Sequence, residues 1–154
     1  MSVNYPGFKG GDRTHIELPE IQRNILKRLH EMGKKVIFVN YSGSAMGLVP
    51  ETETCDAIIQ AWYPGQEGGT AIADILFGDY NPNGKLPVTF YRNIDQLPDY
   101  QDYSMQGRTY RFMTEKPLSP FGYGRSYTTY TYGKPQVKKA TVKNGKAIRL
   151  TVPV

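Results

Sequence analysis

Chemistry in this sequence would have to come from carboxylates, hydroxyls or one thiol, and none of them stands in a self-sufficient pattern. The loop carboxylates are Asp12, Glu51, Glu53, Asp56, Glu67, Asp79, Asp99 and Asp102. General acid–base catalysis needs two carboxyls whose surroundings push their pKa values apart, and spacing along the chain pairs none of these. A cap, a turn or an ion pair accounts for each; Asp79 ahead of Asn81-Pro82 is most simply turn chemistry. Ser42-Gly43-Ser44 lacks the G-x-S-x-G elbow, and neither His15 nor His30 has a partner at triad or metal-ligand spacing. Cys55 has acidic and hydroxyl neighbours and no local cation, so it reads as a small core residue rather than a reactive thiol. As the sole cysteine it permits neither an intramolecular disulfide nor a cysteine-based zinc site.

One loop lies where a ligand could bind. Pro64-Gly65-Gln66-Glu67-Gly68-Gly69 falls between a buried apolar run and a helical pattern. Open α/β sheets bind ligands there, and a helix start favours anions. The loop has neither G-x-G-x-x-G nor G-K-[ST], and Glu67 would repel a phosphate. A tight structural turn is the simpler reading, and no cofactor or metal is expected.

The elements that would position such loops are legible as patterns. Pro19 suits the start of a helix, with Glu20 complementing the positive end of its dipole. Ile21, Ile25, Leu26, Leu29 and Met32 then form one apolar stripe, closed by Gly33. Lys35–Asn40 reads as a strand covered on both faces, Ser42–Pro50 as loop, and Ala57–Tyr63 as a second buried strand. Thr70–Phe77 reads as a helix ending before Gly78. Leu86–Tyr91 reads as a third strand, near an edge because of Pro87.

This order predicts an α/β fold: a partial layered α/β/α sandwich with a mostly parallel sheet, followed by a short antiparallel β segment. The two parts are residues 1–128 and 129–154. In the second, Thr129–Tyr132, Gln136–Val142 and Ala147–Val152 alternate as strands around a turn at Asn144-Gly145. Three sheet strands are fewer than a complete sandwich holds, so both ends read as cut through larger units.

Composition sets the outer limits. The chain has 154 residues, 39% hydrophobic and 21% charged, which fits a globular chain rather than a disordered one. No stretch is long and apolar enough for a membrane span, and no signal peptide opens the sequence. The net charge of +5 comes from the tail: Pro117–Val154 holds seven basic residues and no acidic one. A nucleic-acid footprint is one reading of that patch. The solvated face of a small β element is the favoured one, because no recognition motif accompanies it, and no nucleic-acid partner is expected.

Three stretches together resemble the C-terminal α/β sandwich domain of glycoside hydrolase family 3, the β-glucosidases and β-xylosidases. They are Gly11-Asp12-Arg13-Thr14 with Ile16-Glu17-Leu18-Pro19, Ala61-Trp62-Tyr63-Pro64-Gly65-Gln66-Glu67-Gly68-Gly69-Thr70-Ala71, and Leu76-Phe77-Gly78-Asp79-Tyr80-Asn81-Pro82-Asn83-Gly84-Lys85-Leu86-Pro87-Val88-Thr89-Phe90. Pro120-Phe121-Gly122-Tyr123-Gly124-Arg125-Ser126-Tyr127-Thr128 resembles that domain's closing segment. Residues 129–154 resemble the opening strands of the fibronectin type III-like domain that often follows.

The resemblance implies retaining hydrolysis of terminal β-linked glucosyl or xylosyl residues, by two carboxyls about 5–5.5 Å apart. It places the nucleophilic Asp in a preceding barrel domain that nothing here matches. It places the acid/base Glu in an acidic stretch just before the position of Met1 or, in other branches, where Lys9 stands here. Lysine cannot do a carboxylic acid's work at neutral pH, so no catalytic residue carries over and the chain alone is expected to be inactive. Asp12 and Arg13 would lie on the loop near the acid/base, as an ion pair positioning it in preference to touching sugar directly. Tyr41–Met46 is a further rim segment of the same standing. Trp62 invites a sugar-stacking role, but its place at the end of a buried run favours core packing.

The implied partners are a β-linked oligosaccharide or glycoside in the full-length enzyme and the barrel domain. Self-association through exposed apolar surface is expected of a cut domain. The family suggests a periplasmic or secreted enzyme. The alternative is a non-catalytic carbohydrate-binding or interaction module of the same ancestry, to which the tyrosines of residues 100–132 lend weight.

Overall fold

The computed structural model describes residues 15–99, 101–137, 144–145 and 147–154. Helix α1, Glu20–Glu31, follows Pro19, whose carbonyl accepts the N–H groups of Gln22 and Arg23 at 3.0 and 3.2 Å. At its far end Gly33 takes φ +68°. The Gly33 N–H donates to the His30 carbonyl and the Lys34 N–H reaches back to Leu29, a left-handed closure that glycine adopts without a Cβ clash.

Strands β1 (Ile37–Asn40) and β2 (Ala57–Gln60) run parallel, with Ile37 opposite Ala57 and Asn40 opposite Gln60. Between them lies helix α2, Val49–Thr54, in a stretch where the sequence pattern suggests only loop. It is too short to show apolar periodicity; its signals are Pro50 and Glu51 in the first turn. Helix α3, Gly68–Phe77, ends at Gly78 with φ +87°. A 3-10 turn at Ile94–Gln96 and helix α4, Thr109–Phe112, follow. Strands β3 (Gln136–Val137) and β4 (Leu150–Thr151) pair antiparallel, with Gly145 at φ +80° in the turn between them. The remainder of the expected strand at Gln136–Val142 lies outside the described residues, and Thr129–Tyr132 carries no strand. Helices with a short parallel strand pair make the fold α/β.

The core is Leu18, Met46, Leu48 and Phe90, with Leu26, Phe38, Ile58, Trp62, Leu86 and Leu118 packed against it. Three expectations need correction. The α1 stripe is not wholly a core face: Leu26 packs inward, while Ile21 and Met32 are 69% and 64% exposed and Ile25 is also exposed. β1 is only partly covered, with Ile37 exposed and Asn40 buried. Leu86–Tyr91 is not a strand of the parallel sheet. It forms an irregular antiparallel ribbon with residues 119–123: Phe90 and Ser119 exchange both backbone hydrogen bonds at 2.8 and 3.2 Å, and Leu86 bonds Tyr123 and Gly122 at 2.8 Å each. Pro87 and Pro120 have no N–H to donate, which keeps this ribbon from becoming a regular ladder.

Candidate functional site

Parallel strands put their carboxyl ends on one edge, the usual place for a ligand in open α/β sheets. Here that edge is built from the segments after β1 and β2. Asn40 and Ser42 are buried, and Gln60 is half-buried. The Asn40 Nδ2 group donates to Gln60 Oε1 at 2.7 Å and to Ser42 Oγ at 3.1 Å. Gln60 Nε2 donates to the Ser42 carbonyl and Oγ at 3.2 Å each, and Ser42 Oγ donates to the Ser44 carbonyl at 2.8 Å. This network locks the turn Tyr41–Ser44 onto the strand ends, because each buried polar atom finds a partner within it.

After β2 the chain turns sharply. Trp62 has φ +56°, a left-handed conformation that costs a bulky residue about 1–3 kcal/mol and persists only where its surroundings enforce it. The enforcing contact is inward: the Trp62 ring meets Phe90 edge to face at 6.0 Å. The next ring, Tyr63, is thrown outward and is 80% exposed. The hydroxyl corner of its ring comes close to Gly43, where an added Cβ would sit 2.5 Å from Tyr63 Cε2 and 2.9 Å from its hydroxyl oxygen.

The Pro64–Gly69 loop is a tight turn. Gly68 donates to the Gly65 carbonyl at 3.3 Å, and the Pro64 ring fills the space where a Gly68 Cβ would stand. The Glu67 carboxylate is 3.5 Å from Thr70 Oγ1. Trp62 packs against the core; the outward rings at this edge are Tyr41, in the expected rim segment, and Tyr63, the second of which sequence reasoning passed over.

The other candidate groups are placed elsewhere. Asp12 and Arg13 lie outside the described residues. Glu51 is buried on α2, where its Oε1 accepts from Arg23 Nε at 3.1 Å; among the described residues, Glu51 Oε2 and Arg23 Nη2 are buried without a hydrogen-bond partner. Burial pushes the Cys55 thiol up, partly offset by Thr54, which disfavours the nucleophilic thiolate. Among the described residues no three His, Cys, Asp or Glu side chains are grouped to hold a metal, and no helix is long and apolar enough to cross a membrane. An open depression of about 270 Å³ lies beside Asp95, Gln96, Leu97 and Glu115, where Gln96 already donates to Glu115.

Asp56 ties the start of β1 to the start of β2. Its carboxylate accepts from Lys35 Nζ at 2.8 Å and from the Val36 N–H at 2.9 Å. These bonds, Lys35 foremost, hold its carboxyl below the ordinary value of 3.8. A depressed folded-state pKa contributes stability above the unfolded value and loses it as pH falls through the folded one. Asp56→Asn should therefore lower the urea midpoint at neutral pH. The gap to the parent should narrow as pH falls below the ordinary carboxylate value of 3.8 and close once Asp56 itself is protonated at its depressed folded-state value.

The comparisons with known proteins agree with this architecture. The family model for the glycosyl hydrolase family 3 C-terminal domain matches residues 4–127, so the chain belongs to glycoside hydrolase family 3. It is 64% identical over 154 residues to the xylan 1,4-beta-xylosidase of Xylanibacter ruminicola, covering 100% of this chain and 18% of that protein. It is 39% identical over 158 residues to the periplasmic beta-glucosidase of Salmonella typhimurium, covering 95% of this chain and 21% of that one. Among solved structures, the β-glucosidase EmGH1 of Erythrobacter marinus superposes with a TM-score of 0.75 at 42% identity, over 97% of this chain and 20% of that chain. The chain thus spans about a fifth of the length of the relatives it matches.

Proposed function

We propose that this chain is part of a retaining β-glycosidase that removes terminal β-linked glucosyl or xylosyl residues, and that both reactive carboxyls come from outside it. The observation that carries the reading is the 64% identity, over the full chain, to a xylan 1,4-beta-xylosidase. In the proposed reaction a carboxylate attacks the anomeric carbon while a carboxylic acid protonates the departing oxygen; water then resolves the glycosyl–enzyme intermediate. This chain contributes walls and positioning. Asp12 and Arg13 pair to hold the loop beside the acid, and the carboxyl edge of β1 and β2 forms part of the rim. The outward apolar stripe of α1 supports the same reading: it is a face for the rest of the enzyme, and it drives self-association when the chain stands alone.

A chimaera tests this. This chain replaces the matching fifth of the Xylanibacter ruminicola enzyme, and turnover is measured on aryl β-xyloside and β-glucoside. The chimaera should hydrolyse at least one of them, while the 154-residue chain alone shows no turnover. Robust activity of the chain alone, or a folded but inactive chimaera, would overturn the proposal. An inactive chimaera with saturable oligosaccharide binding by the chain would favour the non-catalytic module, the reading to which the exposed Tyr103, Tyr127, Tyr130 and Tyr132 lend weight.

A further inference from the structure

We infer that Tyr63 is a stacking platform for an outer pyranose unit of a β-linked oligosaccharide. The inference rests on the glycosidase reading for the class of ligand and on the geometry for the residue. A stacking platform needs an aromatic ring that is open to solvent, braced by a neighbour, and placed where ligands approach. Tyr63 meets all three conditions. It is 80% exposed, the Cε2–Cζ–OH corner of its ring stands close to Gly43, whose missing side chain makes the room, and it stands at the carboxyl edge of the strand pair.

Its placement is enforced from both sides. Trp62 turns through φ +56° to bury its own ring against Phe90, which sends the following ring outward. The Asn40–Ser42–Gln60 network fixes the turn that carries Gly43.

The ring also suits the ligand. In β-linked glucosyl and xylosyl units the ring hydroxyls are equatorial, so both faces present axial C–H groups. Those polarised C–H groups meet the negative face of the aromatic ring, and apolar surface leaves water. Exposed Gln66 and Glu67, three and four residues on, supply polar groups for the equatorial hydroxyls. The two sugars differ by an exocyclic hydroxymethyl group that need not touch the stacked face. The platform therefore contributes affinity for both and does not choose between them.

The test is titration of the 154-residue chain with xylotetraose and with cellotetraose, followed by calorimetry. Both sugars should bind. Tyr63→Ala should weaken each by about tenfold, and Tyr63→Phe should stay within about twofold because the stacked face is unchanged. Gly43→Ala, whose Cβ displaces the ring, should behave like Tyr63→Ala, with far-UV circular dichroism confirming that each variant is folded. Absence of binding by the parent chain, or equal binding by the parent and folded Tyr63→Ala, overturns the platform. If the chimaera turns over substrate under either of those results, the glycosidase reading still stands. Tyr63-dependent binding beside an inactive chimaera keeps the platform and removes the glycosidase reading.

Discussion

Arg23→Met should destabilise the fold by about 2–3 kcal/mol, read as a lowered urea midpoint at an unchanged slope. The Glu51 side chain is 1% exposed and its hydrogen-bonded cation is Arg23. Methionine keeps much of the arginine's bulk and removes its charge, so the carboxylate is left in a site that water does not reach. Losing one partner of a buried pair costs about 3–5 kcal/mol; the figure here is set lower because the Arg23 side chain is 32% exposed. The companion variant decides the cause. Arg23→Met with Glu51→Leu should recover most of the loss, since an apolar pair of similar volume carries no desolvation cost. It also removes the two buried atoms, Glu51 Oε2 and Arg23 Nη2, that have no hydrogen-bond partner among the described residues. A neutral single variant, or a double variant no better than the single, would show that the ion pair does not hold α1 to α2.

The second large effect is steric. Gly124→Ala should cost about 3 kcal/mol, the upper end for overpacking, measured by thermal or urea unfolding. A Cβ at Gly124 would lie 2.3 Å from the Gly84 carbonyl oxygen and 3.0 Å from Lys85 Cδ. The first of these is backbone, and it cannot swing aside as a side chain can. Lys85 Nζ also donates to the Gly124 carbonyl, so the two segments are drawn together at the point where the methyl would enter. Gly69→Ala is the control. It sits in the first turn of α3 with nothing within 4 Å of the added Cβ, and alanine there should be neutral to slightly stabilising. Equal losses at the two positions would contradict a steric origin.

What could be read from the sequence was what is local. Gly33 and Gly78 mark helix ends because left-handed backbone is a property of the residue itself, and both take positive φ. The apolar, β-branched runs of β1 and β2 announce strands without help from partners. The relation of Leu86–Tyr91 to residues 119–123 was not legible, because that pairing spans some thirty residues and leaves no periodicity on either side. Tyr63 was missed for the same kind of reason. Its backing is Gly43, twenty positions earlier, and only the parallel register of β1 with β2 brings those segments together. The outward face of α1 shows the opposite limit: periodicity announces an apolar stripe but does not say what lies against it.

The ribbon between residues 86–90 and 119–123 also bears on how family members can diverge. Its backbone bonds close the segment between Tyr91 and Pro117, an excursion that returns to the core at Leu118. Lengthening such an excursion is cheap, about 0.6 kcal/mol for each doubling of a flexible loop. Insertions and deletions should therefore gather there, letting one scaffold acquire differently shaped surroundings without disturbing the strands beneath.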